Sequence, residues 1–233
     1  MLNKTKFKLP CVILFLLCEA VLGVLVQTAS GKTVVAVSFA SVVLACLFAS
    51  LFFDKTPAYL LTQAGLICTV MADWFLVVTK PMEQLTAMIF FSVTQICYFL
   101  RLYISEDNAK KRPLHCIIRA SLVAIALALT FIVLKDKTDA LSLVSLFYYA
   151  NLIMNIIAAF AQFKKFPILA IGLVLFLMCD TFIGLEVMAN SYIPIQDGSF
   201  LHSVLHSGLN IGWIFYVPSQ ALIAISLLKI KRI

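Results

Sequence analysis

Apolar runs of about 20 residues, separated by short charged or proline-bearing breaks, constrain this chain more than any other feature. A helix rises about 1.5 Å per residue, so about 20 apolar residues span the hydrocarbon of a bilayer. Eight such runs can be read: Leu9–Gln27, Thr33–Phe53, Pro57–Thr79, Glu83–Ile104, Leu114–Leu134, Ala140–Gln162, Phe166–Met188 and Leu205–Leu228. The breaks include Ser30-Gly31-Lys32, Lys80-Pro81, the polar run from Ser105 to Pro113, Lys135-Asp136-Lys137 and Lys164-Lys165. The runs are continuous rather than alternating every second residue, which argues against a β-barrel. Composition agrees: 63% of residues are hydrophobic and 12% are charged, against roughly 45–50% and about 25% in a soluble domain. A soluble enzyme, a disordered chain and a nucleic-acid-binding domain are excluded, despite a formal net charge of +7. The fold class is therefore all-α, a polytopic membrane bundle of about eight transmembrane helices. The loops and tails are too short for a soluble domain, so residues 1–233 read as a single integral membrane domain.

The basic residues indicate orientation. Lys4, Lys6, Lys8, Lys55, Arg101, Lys110, Lys111, Arg112, Arg119, Lys164, Lys165, Lys229, Lys231 and Arg232 fall on one side. Only Lys32, Lys80, Lys135 and Lys137 fall on the other, a split of fourteen to four. The positive side is expected to face the cytoplasm, with both termini on it, and the membrane is the plasma membrane if the source is bacterial. A basic N-terminus before an apolar run also fits a signal peptide. This run is long and contains Glu19, so it is expected to be the first span. The seven cysteines lie within or beside the runs, without a C-x-x-C pair, and read as small apolar filler.

Ionisable groups inside a span cost at least about 2.5–3.5 kcal/mol to insert and mark functional sites by default. Four carboxylates fall inside runs: Glu19, Asp73, Asp180 and Glu186. Counted from the outer ends of their spans, Asp73 is roughly 9 Å deep, and Asp180 and Glu19 each roughly 12 Å. Three helices thus carry a carboxylate at one level, with Glu186 nearer the rim. Neutral groups able to hydrogen-bond them are Gln95 and Tyr98 in the fourth run, Tyr148, Asn151 and Asn155 in the sixth, and His206, Asn210, Tyr216 and Gln220 in the eighth. Amides in spans also serve to hold helices together. The contexts of the two aspartates echo one another: Met71-Ala72-Asp73-Trp74-Phe75-Leu76 and Met178-Cys179-Asp180-Thr181-Phe182-Ile183. They stand in the third and seventh runs, which suggests a four-plus-four parallel pseudo-repeat and aspartates that face each other. His202 and His206, four residues apart, are weak candidates for zinc ligands. No phosphate-binding glycine loop and no G-x-S-x-G elbow is present.

These features resemble the YhhN-like family of membrane proteins, whose characterised animal members are lysoplasmalogenases. The family's Gly-Asp in the third span corresponds to Ala72-Asp73, and its Ser-Asp-Thr in the seventh to Cys179-Asp180-Thr181. Its Tyr and, four residues on, Gln in the eighth span correspond to Tyr216 and Gln220, and Gln95 stands where the family tends to a His three residues before Tyr98. The resemblance implies hydrolysis of a vinyl ether to a fatty aldehyde and a glycerophospho-alcohol. That chemistry protonates carbon, forms an oxocarbenium ion and adds water. Asp73 and Asp180 would divide the acid and base roles, and Glu19, Gln95, Tyr98, Asn151, Asn155, Tyr216 and Gln220 would bind or support. The partner is a lipid substrate drawn from the bilayer, with no nucleic acid, and no metal or organic cofactor is required. Two other classes fit the same residues: a small proton-coupled carrier, from the buried carboxylates and the repeat, and a metal-dependent membrane hydrolase using His202 and His206.

Overall fold

A computed structural model describes residues 4–52, 54–108, 111–191, 199, 203, 205 and 208–228. Among them are eight α-helices: α1 Lys4–Thr28, α2 Lys32–Leu51, α3 Pro57–Asp73, α4 Gln84–Ser105, α5 Lys111–Leu134, α6 Ala140–Ala161, α7 Pro167–Ser191 and α8 Ile211–Ile225. No strand occurs among the described residues. Seven of the helices, α3 being extended by the turn that follows it, are long and apolar enough to cross a membrane. The helix starts follow local chemistry. Pro57 opens α3, where its missing N–H is not needed. Asp139 and Ser142 form a reciprocal cap on α6, with the Ser142 N–H donating to Asp139 Oδ1 at 2.7 Å.

Two elements depart from the expected runs. The third run is α-helical only to Asp73, and Trp74–Val78 then form a π-turn. The eighth was expected to begin at Leu205, but α8 begins at Ile211 and has 15 residues. Gly208 takes a left-handed φ of 76°, a conformation that an α-helix does not accommodate. The chain behind it is tied to α1 instead: the Asn210 N–H donates to Gln27 Oε1 at 3.0 Å, and Gln27 Nε2 donates back to the Asn210 carbonyl.

The packing order repeats between the two halves of the chain. The α1–α2, α2–α3 and α3–α4 interfaces recur as α5–α6, α6–α7 and α7–α8, and α2–α8 recurs as α6–α4. The two most extensive interfaces, α3–α4 and α7–α8, are equivalent in this scheme. The α1–α8 interface has no comparable counterpart between α5 and α4 among the described residues, so a four-plus-four parallel repeat is followed in most but not all of the packing. The α3–α4 and α7–α8 interfaces both close through small residues, as is common in lipid, where tight packing rather than water exclusion holds helices together. At Gly65 of α3 a Cβ would stand 2.5 Å from the Tyr98 ring of α4. The Thr94 hydroxyl of α4 lies 3.1 Å from the Gly65 carbonyl. Gly65→Leu should therefore destabilise the bundle by about 1–3 kcal/mol or more, read as a fall in the midpoint of unfolding in detergent. Retention of the wild-type midpoint would show that α3 and α4 are not packed this closely.

Candidate functional site

The two span aspartates open into one cavity of about 360 Å³. Its walls come from the last turns of α3, α5 and α7 and the first turns of α4, α6 and α8, so it occupies one end of the bundle. Most of the lining is hydrocarbon, from residues such as Leu76, Met88, Leu146 and Leu185. Asp73 and Asp180 are its acidic groups, and Gln84, Ser142, Ser145 and Thr181 add neutral polarity.

Each aspartate is held by a tyrosine from another helix. The Tyr216 hydroxyl of α8 donates to Asp73 Oδ2 at 2.6 Å. The Tyr148 hydroxyl of α6 donates to Asp180 Oδ2. One residue along both helices, the Tyr149 and Thr181 hydroxyls lie 2.7 Å apart, so α6 and α7 are joined at two successive positions. Phe176, one turn before Asp180 on α7, separates the two tyrosines, its ring centroid 5.6 Å from that of Tyr216 and 6.4 Å from that of Tyr148. Phe176 thus packs edge-on against both of the tyrosines that hold the acids. Asp73 is 2% exposed, while Asp180 is half-buried and more open to the cavity. The π-turn starts at the residue after Asp73 and carries Leu76 into the cavity wall. Such turns recur at functional sites because they re-aim side chains next to the extra residue.

The repeat explains why the two pairs differ. Phe91 and Gln95 on α4 have the same spacing as Tyr216 and Gln220 on α8, and both glutamines are fully buried. The α4 equivalent of Tyr216 is therefore a phenylalanine, which has no hydroxyl to offer Asp180. Tyr148 of α6 supplies it instead, with its ring 5.7 Å from that of Phe91. The hydrogen-bonding of the acids is thus asymmetric inside a symmetric packing. Tyr148→Phe and Tyr216→Phe each remove one hydroxyl that positions an acid without opening a cavity. Each is expected to destabilise the bundle by about 1–3 kcal/mol, because a buried carboxyl loses its hydrogen-bond partner, read as a fall in the midpoint of unfolding in detergent. A wild-type midpoint in both would show that the hydroxyls do not hold the acids.

Other sequence candidates lie elsewhere. Glu19 is buried between α1 and α2, where the Ser41 hydroxyl donates to it at 2.6 Å, and it is not part of the cavity wall. Asn151, Asn155 and Gln95 form a separate network around Arg119 of α5. The Arg119 guanidinium donates to Asn151 Oδ1 and to Asn155 Oδ1, the latter at 2.6 Å, and lies 3.9 Å from the centroid of the Phe99 ring. Asn155 Nδ2 in turn donates to Gln95 Oε1 at 2.9 Å. Tyr98 packs on Gly65, and Gln220 sits one turn beyond Tyr216. Glu186 is exposed on α7. His202 and His206 lie outside the described residues. No group of three metal-ligating side chains occurs among the described residues.

Sequence reasoning missed the burial of Arg119, which it placed with the rim cations. The signal was present, since Arg119 lies well inside the fifth apolar run. It also missed Phe176 and the π-turn. A phenylalanine one turn from an acid looks like any core residue, and nothing in Trp74–Val78 marks an extra residue per turn.

Fold and site together define a multi-pass helical membrane protein with two carboxylates in a hydrocarbon-lined cavity. Residues 33–227 match the model of the YhhN family, and the chain belongs to that family. A search of curated proteins and a search of solved structures found no match to the chain.

Proposed function

We propose that this protein is a membrane-embedded hydrolase of the lysophospholipid type, lysoplasmalogenase-like, and that Asp73 and Asp180 cleave a vinyl ether between them. The observation that carries this reading is the meeting of two carboxylates from two spans in a single hydrocarbon-lined cavity. The reaction asks for little else. One carboxyl, protonated, gives its proton to the alkene carbon remote from the ether oxygen. The resulting oxocarbenium ion is stabilised by the second group as carboxylate, which then takes a proton from the attacking water. The hemiacetal so formed collapses to the fatty aldehyde and the glycerophospho-alcohol, consuming one water in all. Two acids in one cavity, each held by its own tyrosine, suit such a division of labour.

The cavity favours a single-chain lipid. Its volume of about 360 Å³ is near the lower limit of ligand pockets, roughly 300–1,000 Å³. Gln84 and Ser142 lie in the first turns of α4 and α6, where a headgroup would find hydrogen bonds. The asymmetry of Lys and Arg puts this end outside the cytoplasm. The test is release of fatty aldehyde from an alkenyl lysolipid by the purified protein, with the saturated alkyl analogue as control. Aldehyde from the alkenyl substrate alone is expected; none from folded protein would refute the reading.

One observation favours the carrier as a second reading. Polar residues continue along α6 from Tyr148 through Asn151 to Asn155 and reach Arg119, deep in the bundle. A flux driven by a pH gradient in proteoliposomes, without aldehyde formation, would establish that class.

A further inference from the structure

Glycine is a poor helix former, so a glycine inside a helix normally serves close packing. Three helical glycines here do so. A Cβ would lie 2.5 Å from Tyr98 at Gly65, 3.1 Å from Ile223 at Gly172 and 3.2 Å from Ile183 at Gly212, whereas at Gly23 it would make an ordinary contact of 3.7 Å with Val217. Gly184 has still more room. A Cβ there would meet nothing within 4 Å, and the residue has no left-handed φ that would demand glycine. Its place is specific: it lies on α7 one turn beyond Asp180, lines the same cavity, and is exposed.

The register of α6 against α7 shows what faces it. The bonds Tyr148–Asp180 and Tyr149–Thr181 pin the two antiparallel helices at the level of the acid. One turn further out, the same register sets Ser145 opposite Gly184, and one more turn sets Leu141 opposite Met188. All four line the cavity. By this register the first pair beyond the acid is two of the smallest side chains, and the space at Gly184 is open, a gap in side-chain cover beside Asp180.

We propose that this gap is the portal for the hydrocarbon chain of a single-chain lipid, and that Gly184 sets how much chain passes beside Asp180. The proposal rests on the cavity being a lipid site and adds the place where the chain lies. The chain extends from the acid through the gap into the bilayer, while the headgroup stays at the polar end of the cavity.

The test uses the full chain in detergent or nanodiscs and reads binding independently of turnover. A lysophosphatidylcholine bearing pyrene at the chain end is bound, and energy transfer is followed from tryptophan, Trp213 being part of the cavity wall. Unlabelled lysolipids of graded chain length then compete. Gly184→Phe and, from the facing wall, Ser145→Phe should weaken long-chain competitors by about tenfold or more, since each buried methylene is worth about a fourfold change in affinity. An eight-carbon competitor should change less than about twofold, because a short chain buries few methylenes beyond the acid. Equal chain-length profiles in wild type and both folded phenylalanine variants would overturn the portal, as would failure of the folded wild type to bind the probe. Portal and hydrolysis are separable. Chain-selective loss of binding without any aldehyde would leave the portal standing and remove the hydrolase reading. Aldehyde release with an unaltered chain preference in Gly184→Phe would do the reverse.

Discussion

Asp180→Asn and Asp73→Asn should each reduce aldehyde release by about a hundredfold to ten-thousandfold, the usual worth of a positioned acid or base. Asparagine keeps the shape and can still accept the hydrogen bond from Tyr148 or Tyr216. It can neither give a carboxylic proton nor carry the negative charge that steadies an oxocarbenium ion. The double variant should be little worse than the more damaging single one, because the two groups serve one transition state and act as a unit. Binding of a lysolipid should survive, since the cavity wall is mostly hydrocarbon and is untouched. The measurement is aldehyde release alongside probe binding. Normal turnover in both single variants would end the paired-acid mechanism.

The second large effect is on stability and lies away from the acids. Arg119 is 9% exposed, and two asparagines on α6 accept its hydrogen bonds. Asn155 connects it onward to Gln95 of α4. Three helices are therefore joined through one buried cation. Asn155→Leu removes an acceptor and strands part of the guanidinium in a hydrocarbon setting. Taking one acceptor from a buried guanidinium costs about 1.5–3 kcal/mol, because a charged donor is left without its hydrogen bond. Replacing both members should cost much less: Arg119→Met with Asn155→Leu leaves two apolar groups to pack together. Denaturant unfolding in detergent measures both. A double variant no better than Asn155→Leu would show that the network does not act through the buried charge.

Much of the fold was legible because bilayer thickness imposes a length on every element. That single constraint placed α2, α4, α5, α6 and α7 close to their observed limits. It placed the third span, Pro57–Val78, as well, without registering the π-turn within it, and it failed at Gly208 ahead of α8. Hydropathy does not register either event, since both alter the path of the chain without altering its polarity. The site was legible in part. Asp73 and Asp180 stood out because charge inside a span is costly, and the structure puts both in one cavity. The amides were harder to place. Asn151 and Asn155 share a helix face with Tyr148, so spacing alone could not separate the tyrosine that holds Asp180 from the asparagines that hold Arg119.

The sequence by itself determined that this is a membrane-spanning helical protein and that two acids lie within its third and seventh spans. Both conclusions follow from transfer free energies, which depend on residue type and run length and not on what neighbours what. Tertiary structure decided the partnerships. It gave Asp73 a tyrosine from α8 and Asp180 one from α6, with Phe91 in the symmetric position. It separated Glu19 from the cavity, drew Arg119 inward, and left Gly184 facing open space. Those outcomes depend on helix rotation and register, and a run of apolar residues leaves rotation about its own axis undetermined until the helices pack.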